Sequence, residues 1–342
     1  PYKVYQGRGP FEALGIGMEV RGGDVALRCN FSTVDAEMRV LDRRAGRITE
    51  GTAELAQAVN GVEIEGVQCY FKESVAHRGA LVLRGEGLSP HITDVDPHTD
   101  GELIHSAQPL DLNDAAAAHT AQIVNAFVKL SYERLNDHPV NRERRARGLP
   151  PANIILPRGA GIAPHLDPFP QKHGMTAVAV VETGLIRGIA RFVGMDTLDS
   201  PGATGGIDTD YDSIADTLAN ALRQYDFVLC NVKAPDLCGH DRNPMLKTQV
   251  IEKIDALIAR LLEQYTEPFY LMVTGDHSTP CSVGDHSGDP VPVLLHGPDL
   301  RGDEVLRFHE YACAKGALGR LRGGDLVNIL TQLMGVQEKF GA

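Results

Sequence analysis

The sequence predicts an α/β fold, a mainly parallel sheet with helices on both faces, together with a smaller α+β unit. Two observations carry this reading. In the second half, short apolar runs alternate with helical stretches, whereas between Asp24 and Arg84 the order is strand, helix, strand, strand. Length agrees, since 342 residues exceed what one hydrophobic core usually holds.

Taken in order, the first twelve residues read as a loop. Residues 25–31 form a strand, 41–48 a basic loop, and Thr49 opens a helix whose Leu55, Ala58 and Val59 share one face. Strands follow near 62–71 and 80–84. The Pro/Gly/Asp-rich stretch 85–101 is loop. The longest helix signal spans 112–136, with Asp111 or Asn113 as cap and Ile123, Phe127, Leu130 and Leu135 on one side. The charge run 141–148 reads as a solvated helix end. A strand at 153–157 ends in R-G-A-G, where Arg158 either approaches a phosphate or sits in a simple turn. Beyond it come strand 176–181, helix 184–194, the loop P-G-A-T-G-G at 201–206, helix 211–225, strand 227–232, helix 244–265, strands 269–273 and 291–295, and helix 325–334. The 201–206 loop lacks the G-K-[ST] ending of a P-loop.

Composition excludes several classes. Apolar content of 43% with 23% charge is ordinary for a soluble globular chain, and no apolar run reaches the ~18 residues of a membrane span. The net charge of −12 disfavours nucleic acid and anionic membrane as partners, so an anionic small-molecule substrate needs a local basic pocket. Six scattered cysteines show no disulfide framework, which fits a reducing, cytoplasmic setting. Oligomeric state is not readable.

The chemistry concentrates between Asp236 and Pro292. Asp236 and His240 follow the apolar run F-V-L-C-N-V; Asp276 and His277 follow F-Y-L-M-V; His286 precedes a third such run. Ligands collect beyond the carboxyl ends of strands in α/β sheets, so these five residues form a candidate metal site of the Asp/His type. His277 taken alone reads as a satisfied or solvent-facing imidazole, and Cys238 as packing. Lys233 lies three residues before Asp236, where it holds a phosphate, orients a carboxylate or forms a structural salt bridge. Asp42, Arg43, Arg44 and Arg47, with His77 and Arg78, form a basic cluster: either a solvated charged turn or a clamp for carboxylate and phosphate.

P-D-L-C-G-H at 235–240, G-D-H at 275–277 and H-S-G-D-P-V-P at 286–292 resemble the alkaline phosphatase superfamily. With Y-Q-G-R-G-P-F-E at 5–12, D-R-R-A-G-R at 42–47 and P-G-A-T-G-G at 201–206, nearly the whole chain resembles the archaeal-type branch of the cofactor-independent phosphoglycerate mutases. The resemblance implies an alkaline-phosphatase-like domain at 1–20 and 106–342, interrupted by an inserted substrate-binding α+β domain at 21–105. It implies two divalent cations, one on Asp236, His240 and His286, the other on Asp276 and His277 with an aspartate and the nucleophilic serine that it places ahead of Pro1. Manganese is the expected ion, with magnesium, zinc and cobalt as alternatives, and no 2,3-bisphosphoglycerate is needed. Asp42 becomes a candidate acid or base, and Arg43, Arg44, Arg47, His77, Arg78 and Arg158 a clamp that retains glycerate while the phosphoryl group moves. Arg28 is a weaker member.

Other readings stay open. A phosphatase, phosphonate hydrolase or phosphopentomutase shares the metal motifs without needing D-R-R-A-G-R. A kinase-like role in amino-acid metabolism is a further alternative, and a chain without its nucleophile would be a metal-binding or scaffolding remnant.

Overall fold

The computed structural model describes residues 9–337, so the first four residues of the 5–12 motif lie outside it. The fold is mixed α/β and divides into two compact units, one built from the chain up to Leu166 with Gly184–Phe192, the other from Asp167–Thr183 and the chain from Val193 onward.

The first unit contains α1 (Gly9–Gly15), β1 (Val25–Val34), β2 (Val40–Asp42), α2 (Thr52–Val59), β3 (Val62–Ile64), β4 (Val67–Glu73), β5 (Arg78–Arg84), α3 (Ala115–Leu135), α4 (Pro139–Ala146) and β6 (Ile154–Ile162). β1 is central, paired antiparallel with β5 on one side and β6 on the other, and with β2 at its far end; β4 and β3 extend the sheet beyond β5. Side chains alternate across β1. Leu27, Cys29 and Phe31 face a core shared with α2 and α3, where Phe31 meets Phe71 edge-on at 5.5 Å. Ala26 faces the other way, into a cluster with Ala13 and Leu14 of α1 and Ile189 of the returning helix 184–192. That helix lies tight on α1: a Cβ at Gly188 would stand 2.3 Å from the Leu14 carbonyl oxygen.

Several expectations change here. The sheet crosses the boundary drawn at 105, because β6 completes it and α3 fills its core. The strand expected at 62–71 is a hairpin, turned by Glu65 and Gly66, both at positive φ (50° and 80°), the signature of a type I′ turn. Asp114, rather than Asp111 or Asn113, caps α3 by accepting from the Ala117 amide. The charge run of α4 is not wholly solvated: Asn141 is fully buried, and Arg144, 8% exposed, donates to the carbonyls of Pro150 and Ala45. β6 runs through R-G-A-G instead of ending before it.

The second unit contains α5 (Phe169–His173), β7 (Ala177–Val181), β8 (Asp196–Leu198), α7 (Tyr211–Leu222), β9 (Phe227–Asn231), α8 (Ala234–His240), α9 (Pro244–Gln264), β10 (Leu271–Thr274), β11 (Val293–His296), α10 (Glu310–Cys313) and α11 (Gly323–Leu333); the helix Gly184–Phe192 of the first unit is α6. β8, β7 and β9 pair in parallel, as expected, but β10 and β11 pair antiparallel, so among the described residues the parallel character is confined to three strands. α7 and α9 cover β7 and β9 through Ile214, Leu218, Leu257 and Leu261. Among the described residues no helix is long and apolar enough to cross a membrane.

Candidate active site

Three chain segments of the second unit meet at Asp236. Pro235 sits in the first turn of α8, where its missing amide costs nothing, and the helix places Asp236 and His240 one turn apart. β10 delivers Asp276 and His277, and the loop before β11 delivers His286. The Nε2 atoms of His286, His240 and His277 lie 3.4, 3.5 and 3.9 Å from Asp236 Oδ1. The His277 and His286 rings stack at 3.9 Å. Ligand atoms of Asp236, His277 and His286 all fall within 4.8 Å of one another, a spacing that suits one cation. Asp276 stands apart, its Oδ2 3.7 Å from His277 Nε2 and its side chain 64% exposed. His277, assigned by resemblance to a second cation, therefore joins the Asp236 group in this structure.

Burial works against the Asp236 carboxylate, but hydrogen bonds from Lys233 Nζ and Thr279 Oγ1 and the Lys233 charge outweigh it, bringing its pKa down to about 2. It is ionised at neutral pH. Lys233 is thus bound to a carboxylate, and its own amide donates to Glu182 Oε2 at 3.3 Å. Glu182 and Thr279 were missed by sequence reasoning. Thr279 lies three residues after Asp276, but nothing in one sequence marks a threonine as facing back toward another strand.

The basic cluster belongs to the first unit, and its members divide. Asp42 accepts from the amides of Arg44 (2.8 Å) and Gly46 (2.7 Å), so both its oxygens close the turn that carries the arginines. That turn is strained, with Ala45 and Arg47 at φ 45° and 54°, and the Arg144 guanidinium holds its Ala45 carbonyl. Arg43 turns inward in a two-bond pair with fully buried Asp96, at 2.7 and 2.6 Å. Arg44 and Arg47 are exposed.

A separate cleft gathers Arg28, Asn30 and Ser74 with Arg78 and Arg158. Register puts them on one sheet face: Arg28 opposes Arg158 across β1 and β6, and Asn30 opposes Arg78 across β1 and β5. Like charges facing across strands are unfavourable unless an anion lies between them. Glu12 pairs with Arg28 at 2.9 Å. Arg158 Nε and His77 Nδ1 are buried without a hydrogen-bond partner. Burial lowers the His77 pKa, and the charges of Arg78, Arg44 and Arg158 act in the same direction against the opposing pull of Asp42. Protonation is then easier in the unfolded chain, so His77 costs stability as pH falls from the ordinary histidine value of about 6.5 toward its lowered folded value. His77→Asn is expected to shrink the loss of urea midpoint between pH 7.5 and 5.5; an unchanged loss would place the basic field elsewhere.

Comparison with known proteins agrees with this architecture. The cofactor-independent phosphoglycerate mutase of Thermoplasma acidophilum superposes with a TM-score of 0.80 at 35% identity, over 97% of this chain and 83% of that one. A protein from Pyrococcus horikoshii gives 0.78 at 35% identity, over 100% and 82%. Residues 1–141 match the family model for 2,3-bisphosphoglycerate-independent phosphoglycerate mutase. Proteins of that name from Methanosphaera stadtmanae and Methanocaldococcus jannaschii are 53% and 50% identical, each across 100% of this chain and 84% of the relative. The fold is that of a phosphoglycerate-mutase-type isomerase. The chain belongs to the 2,3-bisphosphoglycerate-independent phosphoglycerate mutase family.

Proposed function

We propose that the protein interconverts 3-phosphoglycerate and 2-phosphoglycerate through a phosphoserine intermediate, on an alkaline-phosphatase-like core that uses two divalent cations, manganese first among them. The observation that carries this is the convergence of three imidazole nitrogens on one oxygen of an ionised carboxylate. Such a nitrogen-and-oxygen donor set fits Mn²⁺, Zn²⁺ or Co²⁺. Asp236, His240, His277 and His286 would hold one ion, and Asp276 lies beside them for a second. The cations supply electrostatic stabilisation of the charge that builds on a phosphoryl group in flight.

The chain's own side chains do the rest. Asp236 stays ionised through neutral pH because Lys233 and Thr279 stabilise its charge. Arg78 and Arg158 offer guanidinium donors to the carboxylate and phosphate of the substrate; the buried Arg158 Nε makes no hydrogen bond and faces Asp96 Oδ2 at 3.7 Å, beyond hydrogen-bond reach. Arg44 and Arg47 contribute positive charge from the strained turn. Asp42 and Arg43 are read as organisers of that turn, since their polar atoms are already committed. Six free thiols support a reducing, cytoplasmic setting.

The test is conversion of 3-phosphoglycerate to 2-phosphoglycerate by the full-length protein without added 2,3-bisphosphoglycerate. Activity should vanish with EDTA and return with Mn²⁺; activity that survives exhaustive chelation would remove the metal reading. Release of phosphate without mutase product would move the function to a phosphatase. Arg158→Gln should raise KM about 10- to 100-fold, the worth of a charge-assisted hydrogen bond, and increase the share of free phosphate released. An unchanged KM would take Arg158 out of the clamp.

A further inference from the structure

Behind the Asp236 cluster lies a second layer of polar groups. Thr279 is 4% exposed, and its Oγ1 stands 2.6 Å from Asp236 Oδ1 and 3.1 Å from His277 Nδ1. A hydroxyl carries one proton and an ionised carboxylate only accepts. The Thr279 proton therefore goes to Asp236, and the second contact requires a proton on His277 Nδ1, donated to the Thr279 oxygen. That leaves the lone pair of His277 on Nε2, the ring atom that faces Asp236. The alternative tautomer has no comparable partner, for Asp276 Oδ2 is 3.7 Å from Nε2.

The same logic repeats at His240. Its Nδ1 lies 3.2 Å from the Gly284 carbonyl, which can only accept, so Nδ1 again carries the proton and Nε2 is free. Both supports are anchored. Lys247 Nζ donates to the Thr279 carbonyl at 2.9 Å, and that carbonyl lies so close to α8 that a Cβ at Gly239 would come within 2.3 Å of it. Arg242 donates to the carbonyls of Ser282 and Val283, the two residues before Gly284.

We infer that Thr279 is a positioning residue for the divalent cation: its hydroxyl orients one Asp236 oxygen and sets the tautomer that turns the His277 Nε2 lone pair toward that oxygen. Lys247 fixes the Thr279 backbone, and Arg242 does the equivalent for His240 through the Gly284 carbonyl. The inference rests on the metal reading of the cluster.

The experiment has two arms. Long-range ¹H–¹⁵N NMR of the metal-free wild type at pH 7.5 should show His277 protonated at Nδ1; protonation at Nε2 would overturn the inference without any mutation, and so guards against a variant that fails to fold. Calorimetric titration with Mn²⁺ then compares variants. Thr279→Val, which keeps the shape and removes the hydroxyl, should weaken binding about 10- to 100-fold, while Thr279→Ser stays within about threefold of wild type. Equal affinity in the valine variant overturns the inference alone, as does a serine variant as weak as the valine one. Failure of the wild type itself to bind Mn²⁺ removes the metal reading, and this inference with it.

Discussion

Asp236→Asn should abolish mutase turnover while leaving the fold in place. The carboxylate is the point on which three imidazoles converge, and an amide supplies neither the charge nor two acceptor oxygens. Loss of a ligand should exceed the 10- to 100-fold cost of losing an outer partner, so Mn²⁺ affinity should fall by at least about 10²-fold. Turnover should fall by about 10³-fold or more, as several kcal/mol of charge stabilisation disappear. Stability should fall by about 2 kcal/mol, because a folded pKa of about 2 marks charge stabilisation that an amide gives up, while Lys233, whose side chain is 35% exposed, can turn to water. Mn²⁺ titration and urea unfolding of the same preparation separate the two effects. A variant that keeps both Mn²⁺ binding and turnover would sink the assignment of Asp236 to the metal.

Asp96→Ala should do the reverse, costing the fold far more than the chemistry of the second unit. Asp96 is fully buried, and its oxygens take two hydrogen bonds from Arg43 and one from the His98 amide. Burial raises the cost of its charge, yet Arg43 and the His98 amide hold the carboxyl below the usual aspartate range. Removing it strands a largely buried guanidinium, for which the expected loss is about 3–5 kcal/mol. The stabilisation is present above the ordinary aspartate pKa and is lost as pH falls through the lowered folded value. A double-mutant cycle with Arg43→Ala checks the mechanism. The pair should be less destabilised than the sum of the single variants; additive losses would mean that the two side chains act independently.

The division of labour within the arginine motif explains why one sequence reads so differently at its two functional regions. D-R-R-A-G-R advertises four charged side chains, yet the structure uses Asp42 to close its own turn and sends Arg43 to an aspartate 53 residues away. Arg158 and Arg28 carried weak local signals, a lone R-G-A-G and a charge inside a strand. Antiparallel register sets them face to face. Charge type is written in the residue, but which charge is already neutralised depends on a partner distant in sequence.

What the sequence determined by itself was local. Period-two and helical spacing located most of the elements, and Asp and His at the ends of apolar strands marked the candidate metal site proposed above, because ligand chemistry is a property of residue type and strand ends are where such residues are exposed. Tertiary structure decided the rest. It carried the first unit past residue 105 by pairing β6 with β1, turned the expected 62–71 strand into a hairpin, drew His277 into the Asp236 group and placed Thr279 behind both. Strand pairing, side-chain convergence and tautomer choice are set by contacts between segments far apart along the chain, and no local pattern encodes them.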